Sequence, residues 1–328
     1  MYIVKTSEIK KVIDIPVIWE NMKEVEKRLL EVTISDNKYL TDIAQHLITA
    51  GGKRFRPLVT LLAGEIGNKN YDKIIDAAVS VELIHLGSLY HDDVIDKSTK
   101  RRGVETANVK WDSTLAILGG DFLMAKASEV ASTKLGLESV KLLATTYAEL
   151  VEGQTREIEL SFDYQQGIGS YMKIVKGKTA SLIRTSAKLG AIASDCSSES
   201  EEAISNWGLN SGIVFQISDD ILDITSDQKK LGKPVGNDIL EGTYTLPVHI
   251  ALEEIGSSFI NLLQDLREDK TKISQVLDIL RSDNILSKTR EIANQHLSES
   301  NKAIEEFKDS SIYNTLKKIN NYLVERSY

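Results

Sequence analysis

Apolar residues recur along most of this chain at spacings of three and four, the period that lines one face of an α-helix. Ile75, Ala78, Val79, Leu83, Leu86 and Tyr90 form one such stripe; Ile204, Trp207, Leu209, Ile213, Ile217 and Ile221 form another. The pattern predicts helices near 16–33, 37–49, 54–66, 72–96, 108–131, 136–163, 168–176, 178–194, 199–225, 243–254, 258–267, 271–282, 285–307 and 311–326. No sustained alternation is bounded by hairpin signals, so strands are not expected. Pro16, Pro57, Pro234 and Pro247 each fall near a predicted boundary. Gly51-Gly52 ends one helix and Pro57 suits the first turn of the next. Ser226 to Thr243, with Gly232, Pro234, Gly236 and Gly242, reads as a structured loop. No Pro/Ser-rich linker divides the 328 residues, so the expectation is a single all-α domain over 1–328.

Composition narrows the function. With 40 basic and 48 acidic residues the chain carries a net charge of −8, a poor match to a non-specific nucleic-acid binder. Any anion it binds must meet local cations or metal ions. The single cysteine, Cys196, rules out an internal disulfide and a cysteine-based zinc site. Met1 to Trp19 lacks the apolar core of a signal peptide, and no run of about 18 apolar residues occurs. The expectation is a soluble cytoplasmic protein with no membrane span.

The chemistry lies in an internal echo. His91-Asp92-Asp93-Val94-Ile95-Asp96 and Ser218-Asp219-Asp220-Ile221-Leu222-Asp223 both place Asp-Asp, two apolar residues and Asp at the end of a long apolar helix. The copies are too far apart for a solenoid repeat and read as two half-sites of a helical bundle. Residues four apart share a helix face, so Asp92 projects with Asp96 and Asp219 with Asp223. Converging carboxylates repel unless a cation lies between them. Oxygen-only ligands select hard ions, and Mg²⁺ is held by few carboxylates together with substrate phosphates. A single such cluster reads equally well as a solvated helix end; the repeat, and the apolar helices that lead into it, favour a metal–diphosphate site. The alternating ligands and central glycine of an EF-hand are missing.

Four basic groups accompany the aspartates: Lys53, Arg54 and Arg56 beside Gly51-Gly52; Lys100, Arg101 and Arg102; Lys176 and Lys178 with Thr179; and Lys229, Lys230 and Lys233. Each alone reads as a surface charge run. Next to two acidic clusters and metal, they suit a site for two diphosphates. His85, one turn and a half before His91 on an apolar helix, reads from its own surroundings as a core histidine.

Taken together, Gly-Gly-Lys-Arg-x-Arg-Pro (51–57), Glu-Leu-Ile-His (82–85), His-Asp-Asp-x-x-Asp (91–96), Arg-Arg-Gly (101–103), Gly-Lys-Thr (177–179), Phe-Gln-x-x-Asp-Asp-x-x-Asp (215–223) and Gly-Lys-Pro-x-Gly-x-Asp (232–238) resemble the trans-prenyltransferases, the polyprenyl synthetase family, in order and spacing. The resemblance implies an all-α bundle with a central cavity, the isoprenoid synthase fold, and head-to-tail condensation of an allylic diphosphate with isopentenyl diphosphate. It implies that Asp92 and Asp96 hold Mg²⁺ on the allylic diphosphate with Asp93 in support. Asp219 and Asp223, with Asp220 beside them, would hold a further ion from the opposite wall, for two to three ions in all. Arg101 and Lys233 would contact the allylic diphosphate, and Lys53, Arg56, His85 and Arg102 the isopentenyl diphosphate. Lys178, Thr179 and Gln216 would line the reacting centre. The departure is Glu241-Gly242-Thr243, where many members carry Lys in third place. That puts in doubt one extra basic contact.

Such a reaction ionises the allylic C–O bond, and the isopentenyl double bond attacks the resulting cation before a proton is lost. No Ser-His or Cys-His nucleophile is needed, and the released diphosphate suits the role of base. The growing chain would run along the helix before the first cluster, where Gly87 and Ser88 are small. A bulky residue there would floor the tunnel, so a hexaprenyl to decaprenyl product is expected; the alternative is that both residues serve helix packing and the product is farnesyl or geranylgeranyl diphosphate. A terpene cyclase also uses Asp-Asp-x-x-Asp, but would carry a different second metal motif and no isopentenyl-binding set. A non-catalytic subunit would be expected to lose aspartates, and all six are kept. The apolar faces of 108–131 suit a homodimer, with a small accessory subunit as the alternative assembly.

Overall fold

The computed structural model describes residues 9–226 and 235–325. The described residues group into two compact units, each built from non-contiguous stretches: the first from 9–147, 182–208 and 306–316, the second from 148–181, 209–226, 235–305 and 317–325. The all-α expectation holds in both.

The first unit is organised around the Tyr71–Ile95 helix. Asn70 starts it, its side chain accepting from the backbone N–H of Lys73. From Ile74 to Ser88 nearly every residue is buried, on all sides of the helix. A helix that is apolar all round has to lie inside, and the Pro16–Val32, Phe55–Ala63 and Ser113–Val130 helices cover it. The Ser113–Val130 helix comes closest. A Cβ on Gly87 would lie 2.8 Å from Met124 Cε and 3.0 Å from the carbonyl oxygen of Gly120. Tyr90, next on the same helix, is buried with its hydroxyl donating to the carbonyl of Ile43 at 2.5 Å.

In the second unit, Ile213, Ile217, Ile221 and Ile224 of the Ser198–Thr225 helix meet Leu246, Val248, Phe259, Leu263, Val276, Leu280 and Ile285 in one apolar core. A buried polar knot ties down the last helix, Tyr313–Glu325. Ser211 Oγ donates to Asn320 Oδ1 at 2.7 Å, and Asn320 Nδ2 donates to Ser300 at 3.0 Å and to Asn301 Oδ1 at 2.9 Å.

Several boundaries differ from the pattern. The absence of strands is corrected: Lys100–Arg101 and Val104–Glu105 pair antiparallel across a two-residue turn. Arg102 and Gly103 both have positive φ, 56° and 84°, as the primed hairpin turns require. Two-residue strands are too short to alternate, and Arg-Gly reads as a basic motif before it reads as a turn. The helices expected at 168–176 and 178–194 are one run, Ile168–Val175 and Ser181–Ala193 joined by a π turn over Lys176–Ala180. The helix expected at 108–131 breaks at Trp111 and restarts with Asp112 capping Leu115 N–H at 2.8 Å. Short helices at Ile9–Val12 and Asn237–Leu240 were not expected. The basic group Lys229, Lys230 and Lys233 lies outside the described residues. Among those described, no helix is long and apolar enough to cross a membrane.

His249 sits inside the second unit beside Tyr171, with ring centroids 6.0 Å apart. Burial pushes its pKa below the ordinary 6.5. The folded chain therefore holds it neutral while the unfolded chain takes up a proton, so stability is lost as pH falls through about 6.5. Replacing His249 with Leu is expected to flatten the decline in melting temperature between about pH 7 and about pH 5. A profile with the wild-type slope would assign that decline to other groups.

Candidate active site

Both aspartate clusters occupy the C-terminal end of a long helix: Asp92, Asp93 and Asp96 at the end of Tyr71–Ile95, Asp219, Asp220 and Asp223 at the end of Ser198–Thr225. The helix dipole is negative there, so carboxylates are disfavoured by about 0.3–1 kcal/mol each unless cations offset them. The clusters solve this alike. In each, the middle aspartate turns inward and takes hydrogen bonds from the chain. Asp93 is buried and accepts from Arg101 Nε at 2.6 Å. Burial raises its pKa, and the Arg101 charge works against that rise. Asp220 is buried, accepting from the Tyr171 hydroxyl at 2.5 Å and from Gln216 Nε2 at 2.9 Å. Burial lifts its pKa to about 7 against the pull of those two bonds. Of the outer aspartates, Asp92 and Asp219 are half-buried, Asp96 is exposed and Asp223 is buried.

The donor chemistry at both helix ends is all-oxygen, which fits a hard divalent ion. Among the described residues no three His, Cys, Asp or Glu side chains form a ready-made metal cage.

The basic set of the first unit surrounds the Tyr71–Ile95 helix. The sequence counts three cations in the 53–56 segment, but the structure keeps one of them inside. Arg54 is buried, its guanidinium bonded to Glu26 at 2.5 and 3.1 Å, Glu82 at 2.9 Å and the carbonyl of Ile48 at 2.9 Å. Its backbone is left-handed, φ 49°, at the start of the Phe55–Ala63 helix. Arg54 is thus a strut that presents its neighbours. Lys53 is exposed. Arg56 is half-buried, with Nε enclosed and no hydrogen-bond partner. Desolvation pulls its pKa down to about 10. Arg102, on the hairpin turn, reaches back to the carbonyls of Leu47 (2.9 Å) and Gly51. A Cβ on Gly52 would lie 2.9 Å from its guanidinium carbon, and the backbone there, φ 156°, favours glycine. His85 is held well below its usual pKa, first by burial and then by Arg56, Arg102, Arg54 and Arg101. It is therefore neutral, able to donate through one ring nitrogen and accept through the other. Arg54, Arg56 and Arg102 lie in the field of the buried Glu82, with Glu26 also acting on Arg54 and Arg102, and three guanidiniums against two carboxylates suit an anion.

In the second unit, Gly153 and Gly177 let two helices touch backbone to backbone. A Cβ on Gly153 would lie 2.5 Å from the amide nitrogen of Lys178, and one on Gly177 would lie 2.9 Å from the carbonyl oxygen of Glu149. The π turn begins at this contact and carries Lys178 and Thr179. One turn beyond Gly153, Glu157 forms an ion pair with Lys178, and Gln154 Nε2 donates to the same carboxylate at 3.2 Å. Thr179 donates to Gln216 Oε1 at 2.7 Å. The structure therefore joins Thr179, Gln216 and Asp220, all expected at the site, to Tyr171, and joins Lys178 to Glu157. Sequence reading missed Tyr171, Gln154 and Glu157. The last two are three apart on a helix after a glycine, a faint signal; Tyr171 looks like any apolar core position. Lys233 lies outside the described residues.

Comparison with known proteins bears on this arrangement. The family model described as polyprenyl synthetase matches residues 37–281. A nonaprenyl diphosphate synthase from Mycobacterium tuberculosis is 38% identical, covering 84% of this chain and 82% of its own. Component 2 of the heptaprenyl diphosphate synthase of Bacillus subtilis is 39% identical over 71% of this chain and 67% of its own. A polyprenyl synthase from Caulobacter crescentus, solved with calcium and isoprenyl diphosphate, superposes with a TM-score of 0.90 at 28% identity, covering 99% of each chain. Relatives of similar identity carry names spanning products from geranylgeranyl to nonaprenyl diphosphate.

The Arg54 strut generates a stability prediction. Truncating Arg54 to Ala leaves Glu82 buried without its cation, which is expected to lower the unfolding free energy by about 3–5 kcal/mol in chemical denaturation. A loss below about 1 kcal/mol, the size typical of an exposed pair, would show that Arg54 is not the strut.

Proposed function

The chain belongs to the polyprenyl synthetase family, prenyltransferases that join isopentenyl diphosphate to an allylic diphosphate, and on that premise we propose how its residues divide the work and how long its product is. The observation that carries the assignment is the shared design of the two helix ends: an inner aspartate buried and hydrogen-bonded by the chain, beside outer aspartates four residues apart. Divalent ions held by Asp92, Asp96, Asp219 and Asp223, with magnesium the best fit, would supply Lewis-acid neutralisation of the departing diphosphate. The relative from Caulobacter crescentus, with its calcium and isoprenyl diphosphate, supports a divalent ion in that role.

The remaining work falls to the chain. Arg56 and Arg102, both desolvated, bind the isopentenyl diphosphate with Lys53 at the rim and neutral His85 beside them. The enclosed Nε of Arg56 supports this, since an anion would satisfy it. Arg101 engages Asp93 through Nε, so its two terminal nitrogens are outside that bond and suit the allylic diphosphate. Lys233 acts there as well. Lys178 neutralises Glu157 until a more highly charged anion draws its ammonium away. Thr179 and Gln216 line the reacting centre, while Asp93 and Asp220 hold their clusters in shape. No protein base is assigned; the released diphosphate takes the proton. We read the two units as one catalytic domain, acting in the cytoplasm as a homodimer. The exposed Ile117 and Leu118 of the Ser113–Val130 helix support the dimer.

For product length we propose the hexaprenyl to decaprenyl range. Gly87 is occupied with packing, because its missing Cβ admits Met124 and Gly120. Ser88 is the position that counts: it is small, lies four residues before Asp92, and folds its hydroxyl back onto the carbonyl of His85 at 2.9 Å. Tyr90 is tied to Ile43 and does not floor the tunnel.

Purified protein given Mg²⁺, labelled isopentenyl diphosphate and an allylic primer is expected to yield a long all-trans product without a second protein. Product only on addition of an accessory subunit would replace the homodimer with the heteromeric assembly. In the same assay Asp92→Ala is expected to lose at least about a hundredfold in turnover with its fold intact; near-normal turnover would remove Asp92 from the metal set. Ser88→Phe is expected to shorten the product by several units, and an unchanged length would move the ruler elsewhere.

A further inference from the structure

Resting on the synthase reading above, we propose that Tyr171 is a positioning residue for the reaction, acting through Asp220 and Gln216 on Thr179. The four side chains form one chain of hydrogen bonds. Tyr171 O–H donates to Asp220 Oδ2 at 2.5 Å, Gln216 Nε2 donates to Asp220 Oδ1 at 2.9 Å, and Thr179 Oγ1 donates to Gln216 Oε1 at 2.7 Å. Tyr171 and Asp220 are buried; Gln216 and Thr179 are half-buried. The phenol is clamped by the apolar core of the second unit, with Val175 and Ile217 in the same cluster and the His249 ring 6.0 Å away.

The order of donors and acceptors follows from the chemistry of each group. A tyrosine hydroxyl beside a carboxylate donates, so Tyr171 occupies one oxygen of Asp220 and leaves the other facing Gln216. Against that oxygen Gln216 must turn its NH₂, which directs its carbonyl oxygen at Thr179. A hydroxyl has one proton, and Thr179 uses it on that carbonyl, so only its lone pairs remain for anything beyond the relay. Reversing any one link would set two donors or two acceptors face to face. Asp220 has both oxygens engaged and is thereby a positioning group, which leaves Asp219 and Asp223 for ligands. Tyr171 is the terminal group of the relay and a member of the apolar core; it sets the facing of Thr179 without reaching the reacting atoms.

Tyr171→Phe removes only the hydroxyl. It is expected to lower kcat by roughly ten- to hundredfold. KM for isopentenyl diphosphate should stay within about twofold, since none of that diphosphate's proposed ligands belongs to the relay. Combining it with Gln216→Leu supplies the readout that a merely structural tyrosine would not move. In a relay the double variant loses no more than the worse single variant; independent losses multiply, and multiplication would overturn the proposal. A second readout needs no substrate. The Gln216 side-chain amide protons, followed by nuclear magnetic resonance, should exchange with solvent at least about tenfold faster in Tyr171→Phe than in wild type. Unchanged exchange would overturn the relay even if turnover fell. Wild-type protein that makes no product, yet whose Gln216 amide loses protection in Tyr171→Phe, would refute the synthase reading and leave the relay standing. Should Tyr171→Phe fail to fold, Asp220→Leu, close to aspartate in shape, removes both acceptors and breaks the same chain, and the same outcomes apply.

Discussion

Negative charge at the negative end of a helix is the constraint on which the rest of this protein depends. Six aspartates close the Tyr71–Ile95 and Ser198–Thr225 helices, where the backbone carbonyls already repel them. Much of the surrounding structure compensates for that placement. Arg101 reaches Asp93 from a hairpin, and Tyr171 and Gln216 reach Asp220 from within the second unit.

Positive charge is handled by the complementary rule. Arg54 is fully enclosed because two glutamates and a carbonyl meet it. That strut shapes the segment from which Lys53 and Arg56 project. Arg56, Arg102 and His85 are partly desolvated, and their pKa values are lowered in consequence. A desolvated cation gains more from an anion than a hydrated one does, since less water has to be displaced and the local dielectric is lower. Close backbone contacts make these placements possible. Gly52 admits the Arg102 guanidinium, and Gly153 and Gly177 bring Glu157 to Lys178.

The sequence by itself determined the helical class, the spans of its long helices and the identity of both acidic clusters. These are local properties: periodicity, capping and an i, i+4 pair can be read within one segment, and the Tyr71–Ile95 and Ser198–Thr225 helices begin and end within a residue of the pattern's limits. The basic motifs were legible as a set for the same reason. Only the tertiary structure decided which of those charges face inward. Arg54 and Arg56 look alike two residues apart, yet one is a strut and the other keeps an enclosed nitrogen unmet, because burial and partnership depend on Glu26 and Glu82, far away in the chain. Asp93 and Asp220 turned out buried, Tyr171 bonds Asp220, Glu157 pairs with Lys178, and Gly87 proved to be a packing residue. Each of those outcomes comes from groups brought together across long stretches of chain, where energy is set by distance and dielectric and not by any pattern along the sequence.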